Sequence, residues 1–425
     1  MRKIPLYWQI LAAILLAVLC GILLQQTDAA TISAATKIFT YVGSLFLNAL
    51  KMLIVPLVFS SIICGVSSVG GDGEQIGKLT LKTVGFYFFT SLIAILVGLV
   101  MVNLIQPGII DGQSIGEALN LVKPDQSATL EKLSQDKASL TSLFDIFLRM
   151  LPPNIIAAAA NGQMLGLIVF AMIFGFFITT IPSALNKTQS DFWQGVFEIM
   201  MQMTMLVMKF APLGVFALVA KTIMTTGLEI FDSLLLFFLC VVTALAIHAF
   251  VSLFLILKYV AKVNPLKHYK IMSPVLLTAF STASSSATLP LTIDTLRQEA
   301  GVSNKTSAFV LPLGATVNMD GTALYECVAA IFIAQVYGLE LTFVHQFIIV
   351  ITALLTSIGV AGVPAASLVA ISIILSVMGL PLEGIGLLMV TDRLLDMLRT
   401  AVNVFSDSVC AIVIARLEGE QTNLC

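Results

Sequence analysis

Apolar residues run through this 425-residue chain in long blocks cut by short polar links. A hydrocarbon core about 30 Å thick takes roughly 20 helical residues to cross. Blocks of that length lie at 6–26, 38–66, 80–106, 141–182, 192–222, 230–260, 304–336 and 384–416. The fourth is too long for one crossing, and Pro152, Pro153 and Gly162 are its candidate breaks. Two further stretches, 268–297 and 343–381, are apolar but interrupted midway by small polar residues. Each half is too short to span, which predicts two re-entrant helical hairpins in an all-α polytopic membrane protein.

Composition supports this reading. The hydrophobic fraction is 58% and the charged fraction 11%, whereas soluble domains are about a quarter charged. No basic block suits nucleic acid. Cys20, Cys64, Cys240 and Cys410 sit in apolar runs as small core residues, and the three histidines form no HxxxH or HExxH, so no metal centre or haem is expected. The first apolar run is too long for a signal-peptide core and lacks a small-x-small cleavage site, and Leu19 spoils a lipoprotein box at Cys20. A retained first helix is expected. Arg2 and Lys3 before the first span, and Lys258, Lys262, Lys267 and Lys270 after the sixth, fall on one side, predicting a cytoplasmic N-terminus. The polar stretch 107–140 then faces outside as a flexible loop.

Polar chemistry enters these apolar blocks at four places. In MVTDRLLDMLRTAVNVFSDSVCAIVIA, residues Asp396, Arg399, Thr400, Asn403 and Asp407 fall within a helical arc of about 100°. Charge at membrane depth costs at least ~2.5–3.5 kcal/mol and survives facing a protein interior or aqueous cavity. The stripe therefore suggests a site for something both positive and negative. The run Phe280–Pro290 places Ser284, Ser285 and Ser286 at a hairpin tip, where hydroxyls and half-helix N–H groups suit a carboxylate. In Pro312–Thr322, Asn318, Met319 and Asp320 cannot all face one partner from a regular helix, so flanking glycines predict an unwound stretch offering oxygens to a hard cation such as Na⁺. The run Ser357–Pro364 is a tight turn, read either as a mobile gate or as a plain connection. Two signals are decoys: Thr83–Phe86 begins like a potassium filter but leads into an ordinary span, and Asp320 with Asp396 lacks the GxGD context of an intramembrane protease.

In this order, the Ser-rich tip, NMDGT, the Gly-Pro tip and DRLLDMLRTAVNVFSD resemble the dicarboxylate/amino acid:cation symporter family, which includes animal glutamate transporters and archaeal aspartate transporters. The resemblance covers nearly the whole chain. It implies eight transmembrane helices plus two re-entrant hairpins, inverted repeats, a homotrimer, and an elevator mechanism. A transport domain (approximately 80–106 and 230–416) would slide against a scaffold (approximately 1–66 and 141–222). It further implies that Arg399 forks the side-chain carboxylate of an acidic amino acid and that Asp396 takes its α-ammonium. Thr400, Asn403 and Thr322 would add hydrogen bonds, while Ser284, Ser285 and Ser286, with Gly359, Val360, Ala361 and Gly362, enclose the α-carboxylate. Sodium, the coupling ion, would occupy three sets: Gly314, Asn318, Asn403 and Asp407; Thr316, Met319 and the Ser357, Ile358 and Val360 backbone; and Tyr87, Thr90, Ser91, Asn318 and Asp320. No other cofactor is implied.

Departures from the family pattern carry expectations of their own. Where members place an extra arginine, this chain has Ala283 and Met397, so Asp396 is expected to lack its usual salt-bridge partner. Val360 replaces a frequent hydroxyl or alanine, with little effect expected where carbonyls bind. Glu326 follows NMDGTALY where animal carriers have a proton-linked glutamate; a proton carrier and a structural glutamate are both open readings. The expected activity is sodium-driven import of L-glutamate or L-aspartate through a bacterial inner membrane. Rival readings are a carrier of neutral or sulfur-containing amino acids or C4-dicarboxylates, and a ligand-gated anion channel.

Overall fold

The computed structural model describes residues 6–68, 74–110, 112–118, 148, 150–161, 163–226, 230–339, 341–359 and 366–424. Within them the chain is helical almost throughout. The first long helices are α1 (Leu6–Gln25), α2 (Ala29–Ser68) and α3 (Glu74–Ile105). Asp28 caps α2, its Oδ2 accepting from the backbone N–H groups of Ala30 and Thr31 at 3.1 Å, which satisfies donors a helix start leaves orphaned.

After α3 the chain does not stay loose. Strands β1 (Ile109–Ile110) and β2 (Gln113–Ser114) pair antiparallel and lead into α4 (Ile115–Ala118). Gly112 turns between them at φ +80°, a conformation glycine adopts without a Cβ penalty. Gly108 N–H donates to Gln335 Oε1 at 3.1 Å and Ser233 Oγ to Pro107 O at 2.5 Å. The flexible loop expected over 107–140 is thus anchored at its start, because its backbone groups find buried partners; residues 119–140 lie outside the described set.

The long fourth block is broken, as its prolines predict. Asn154 caps α5 (Ile155–Ala160), and α6 (Met164–Ile178) follows; Gly162 lies outside the described residues. The fifth block, expected as a single span over 192–222, is instead two helices. These are α7 (Ser183–Met208) and α8 (Ala211–Thr226), with a bend of 52° between them. Pro212 stands in the first turn of α8, where its missing N–H costs nothing, and that favours a fresh helix start.

The sixth block is α9 (Ile230–Ile247), which continues through π-helical stretches at His248–Ser252 and Ile256–Val260. Asn264 caps α10 (Pro265–Thr282), with Pro265 in its first turn. The first hairpin turns at Ala283, which is left-handed (φ 47°), and at Ser284, which is extended and caps α11 (Ser285–Gln298). Next come α12 (Asn304–Val317), α13 (Asp320–Val336), α14 (Phe343–Gly359), α15 (Ala366–Val377) and α16 (Ile385–Leu417).

Among the described residues, Lys78–Ile105, Asp232–Val260, Asn304–Val336 and Leu382–Leu417 are long and apolar enough to cross a membrane. The bent α7–α8 pair is a further broken or re-entrant candidate. Packing gathers α1, α2, α6, α7 and α8 around one another, and gathers α3 with α9 to α13 and α16. Helices α14 and α15 touch both groups. Helix α13 is buried along its whole length, an all-round burial that fits the centre of a helical assembly.

Candidate functional site

Two helical devices build the site. The first is the unwound step between α12 and α13, where Asn318 is extended (φ −99°, ψ 104°) and Met319 follows at φ −127°. The step swings Asn318 toward α16 and Asp320 toward α3 and α9. The second is α16, whose stretch from Arg399 to Asp407 faces that step, with Asp392 and Asp396 one to two turns before it.

Asp320 is fully buried and collects four partners. Its Oδ1 accepts from Ser91 at 2.6 Å and Thr90 at 3.3 Å. Its Oδ2 accepts from Ser406 at 2.5 Å and lies 3.1 Å from His248 Nε2. Asn318 Nδ2 donates to Asp407 Oδ1 at 2.9 Å and Ser406 Oγ at 3.1 Å, while its buried Oδ1 has no partner. Tyr87 OH donates to Val310 O at 2.8 Å. Gly314 lets Asp407 and Tyr87 approach: a Cβ there would stand 2.4 Å from Asp407 Oδ1 and 2.6 Å from Tyr87 OH. Asn403 Oδ1 accepts from Gly321 N–H at 2.8 Å, and its Nδ2 donates to Thr322 Oγ1 at 3.1 Å.

Four turns of α16 carry the charge. Arg399 is 1% exposed, and its guanidinium lies 3.9 Å from the Tyr325 ring centroid, a stacked arrangement that orients the planar group. One NH2 group donates to both Asp392 Oδ1 and Asp396 Oδ1 at 3.1 Å. The buried Nε and NH1 have no partner. An unsatisfied buried donor costs about 1–3 kcal/mol, more when charged, so this edge of the arginine is shaped for an acceptor. Thr400 Oγ1 donates to Asp396 O at 2.8 Å.

The expectation that Asp396 lacks an arginine partner is overturned. Arg393 NH1 lies 3.2 Å from Asp396 Oδ2, and Arg399 holds the other oxygen. One turn of the same helix supplies the counter-ion, since residues three apart are neighbours on a helix surface.

The remaining expected residues fall as follows. Ser284 is spent capping α11, its Oγ accepting from Ala287 N–H at 3.2 Å; Ser285 is half-buried and Ser286 exposed in the first turn. Thr316 is exposed, with its hydroxyl 2.9 Å from Leu313 O. Met319 and Ser357 are buried, and Ile358 and Gly359 close α14. Val360, Ala361 and Gly362 lie outside the described residues. Glu326 is fully buried and accepts from Thr356 at 2.9 Å.

Sequence reasoning passed over Asp392, Arg393, Tyr325, His248, Ser406 and Thr356. The first two lie in the stripe already marked, at offsets of −4 and −3 from Asp396, and extending it by one turn would have found them. His248 meets Asp320 from a helix 72 residues earlier in the chain, so no period within one helix relates the two.

Around the α12–α13 step and α16, Asp392 and Asp396 pair with the guanidiniums of Arg393 and Arg399, while Asp320 and Asp407 are held by hydroxyl, amide and imidazole groups. Carboxylate, amide and hydroxyl oxygens gathered in this way suit a hard cation. Among the described residues no group of three or more His, Cys, Asp or Glu could hold a metal ion. The Nε and NH1 of Arg399 beside Asp396 are one positive and one negative contact of the kind a zwitterionic acid can use.

The sodium:dicarboxylate symporter family profile matches residues 6–417. The chain belongs to this family. It is 36% identical over 99% of its length, and 96% of the relative's, to the proton/sodium-glutamate symport protein of Geobacillus stearothermophilus. It is 33% identical to the proton/glutamate-aspartate symporter of Escherichia coli (strain K12), over 98% of this chain and 93% of the relative. Excitatory amino acid transporter 3 of Homo sapiens is 34% identical, over 96% and 85% of the two chains. The protein is therefore an integral membrane symporter and not an enzyme.

Proposed function

We propose that this symporter imports L-glutamate and L-aspartate through a bacterial inner membrane, driven by sodium, with its N-terminus in the cytoplasm. The carrying observation is Arg399, fully buried, stacked on Tyr325, with two donors unpartnered beside Asp396. It forks the substrate's side-chain carboxylate, and Asp396 takes the ammonium. The first turn of α11 and the second hairpin tip enclose the α-carboxylate. A neutral substrate would leave the Nε and NH1 of Arg399 without an acceptor, and a dicarboxylate without an amine would leave Asp396 facing like charge.

Sodium ions occupy the oxygens around Asp320, Thr90 and Ser91, those around Asp407, Asn318 and Gly314, and those between Thr316, Met319 and the end of α14. Each net charge carried inward gains ~2.3 kcal/mol per 100 mV. Glu326, buried between α13 and α14, carries a proton in the same cycle.

The mechanism proposed is an elevator within a homotrimer of eight-span, two-hairpin subunits. Mutual packing of α1, α2 and α6–α8 supports a scaffold, and that of α3, α9–α13 and α16, with the hairpin α14–α15, supports a mobile unit. Proteoliposomes loaded without substrate test the reading. An inward sodium gradient should concentrate labelled L-aspartate above its external level, and collapse of that gradient should release it. Equilibration without concentration would instead indicate a channel. Equal accumulation of a neutral amino acid would overturn the substrate assignment.

A further inference from the structure

Helices α13 and α14 meet at a buried hydroxyl–carboxyl pair. Thr356 Oγ1 donates to Glu326 Oε2 at 2.9 Å, and both residues are fully buried. The same hydroxyl lies 2.8 Å from Thr352 O and 3.1 Å from Ala353 O in its own helix. A hydroxyl has one proton to give, so these acceptors compete for it. An ionised Glu326 wins, because a hydrogen bond to a charged oxygen is roughly twice as strong as one to a neutral carbonyl. A protonated Glu326 reverses the relation. Its own O–H donates to Thr356 Oγ1, and the threonine proton turns to the α14 carbonyls. Glu326 Oε1 has no partner, so the carboxyl's hydrogen bonding runs through Thr356. One residue further on, Ser357 begins the end of the hairpin arm.

We propose that Thr356 is a positioning residue for proton coupling: it passes the protonation of Glu326 to the arm of the second hairpin by reversing their hydrogen bond. The inference rests on Glu326 carrying the proton. In the step, a proton from solution bonds to a Glu326 carboxylate oxygen and later leaves from it; no other covalent bond changes.

Of the charged groups on helices packed against α13, Arg399 of α16 acts on Glu326 through space. The others are engaged elsewhere: Asp392 and Asp396 on Arg399, His248 on Asp320, and Asp407 on Asn318. Arg393 pairs with Asp396, Arg416 is in the last turn of α16, and Glu117 belongs to the short α4. Asp232, His345 and the group Glu74, Lys78 and Lys82 stand toward the ends of α9, α14 and α3, and α15 has no ionisable residue.

The test is the pH profile of sodium-driven L-aspartate uptake in proteoliposomes for wild type, Glu326→Gln, Thr356→Val and Thr356→Ser. Glu326→Gln should flatten the profile. Thr356→Val removes the donor that favours the ionised carboxylate, so the alkaline limb should move to higher pH by about one unit or more. Thr356→Ser keeps the hydroxyl and should follow wild type. A Thr356→Val profile superimposed on wild type, with Glu326→Gln flat, overturns the role of Thr356 alone. A wild-type profile in Glu326→Gln overturns the proton reading and this inference with it. Should the valine variant not give folded protein, judged by sodium-dependent thermal stabilisation in detergent, Thr356→Ala takes its place under the same criteria.

Discussion

Asp396 and Arg399 show how neighbours decide what a charged residue can do. Arg393 and Asp396 are each about a third exposed (35% and 37%), and exposed pairs contribute roughly 0–1 kcal/mol. Replacing Arg393 with Gln should therefore weaken sodium-dependent aspartate binding by less than about fivefold. A loss of a hundredfold would mean that Arg393 itself touches substrate. Gly314 is tighter. A methyl at this position would collide with Asp407 and Tyr87, so Gly314→Ala should raise the sodium concentration for half-maximal thermal stabilisation by about tenfold or more, a cost of at least ~1.4 kcal/mol. An unchanged sodium titration would place the cation away from Asp407. The stripe Asp396, Arg399, Thr400, Asn403 and Asp407 was legible because a regular helix repeats every 3.6 residues. His248 and Thr356 were not, since their roles come from helices that meet only after folding.

Helix ends and breaks place these side chains, and several were legible locally. The Asn318–Met319 step and the break at Pro152–Pro153 follow from residue types that resist helix, whereas Ser284, read as a carboxylate contact, caps α11. The α7–α8 bend was not, because one proline inside an apolar run reads equally as kink or start. At the far end of α16, Glu420 accepts from Ser303 N–H at 2.9 Å, Ser303 Oγ at 2.7 Å and Thr306 Oγ1 at 2.5 Å, fastening the tail to the start of α12. Partial burial opposes its ionisation, but these hydrogen bonds and Lys305 outweigh it and hold the carboxyl below its ordinary value. Its stabilisation is thus fully present above the ordinary glutamate range and lost as pH falls through the lower folded-state value. Glu420→Gln should lower the apparent melting temperature by on the order of 1–2 °C at neutral pH, and the gap should close in strong acid. A gap independent of pH would contradict the clamp.

At the scale of the molecule, alternation of apolar blocks and polar links revealed a membrane protein, while the division into packed groups required contacts between distant blocks. Gly386 of α16 approaches Leu218 of α8 across that division; a Cβ on Gly386 would lie 3.3 Å from Leu218 Cβ. That distance is close to disulfide geometry. In a cysteine-free background, Leu218→Cys with Gly386→Cys should lose uptake on oxidation and regain it on reduction if the groups slide during transport. Full activity of the oxidised form would exclude sliding at this contact. The most direct test of the whole account is sodium-driven uptake of labelled L-aspartate into proteoliposomes by wild type and Arg399→Ala. Wild type should accumulate substrate and the variant should not, although sodium still stabilises it against heat. Equal accumulation by both would show that Arg399 does not hold the acidic side chain and would contradict the central claim.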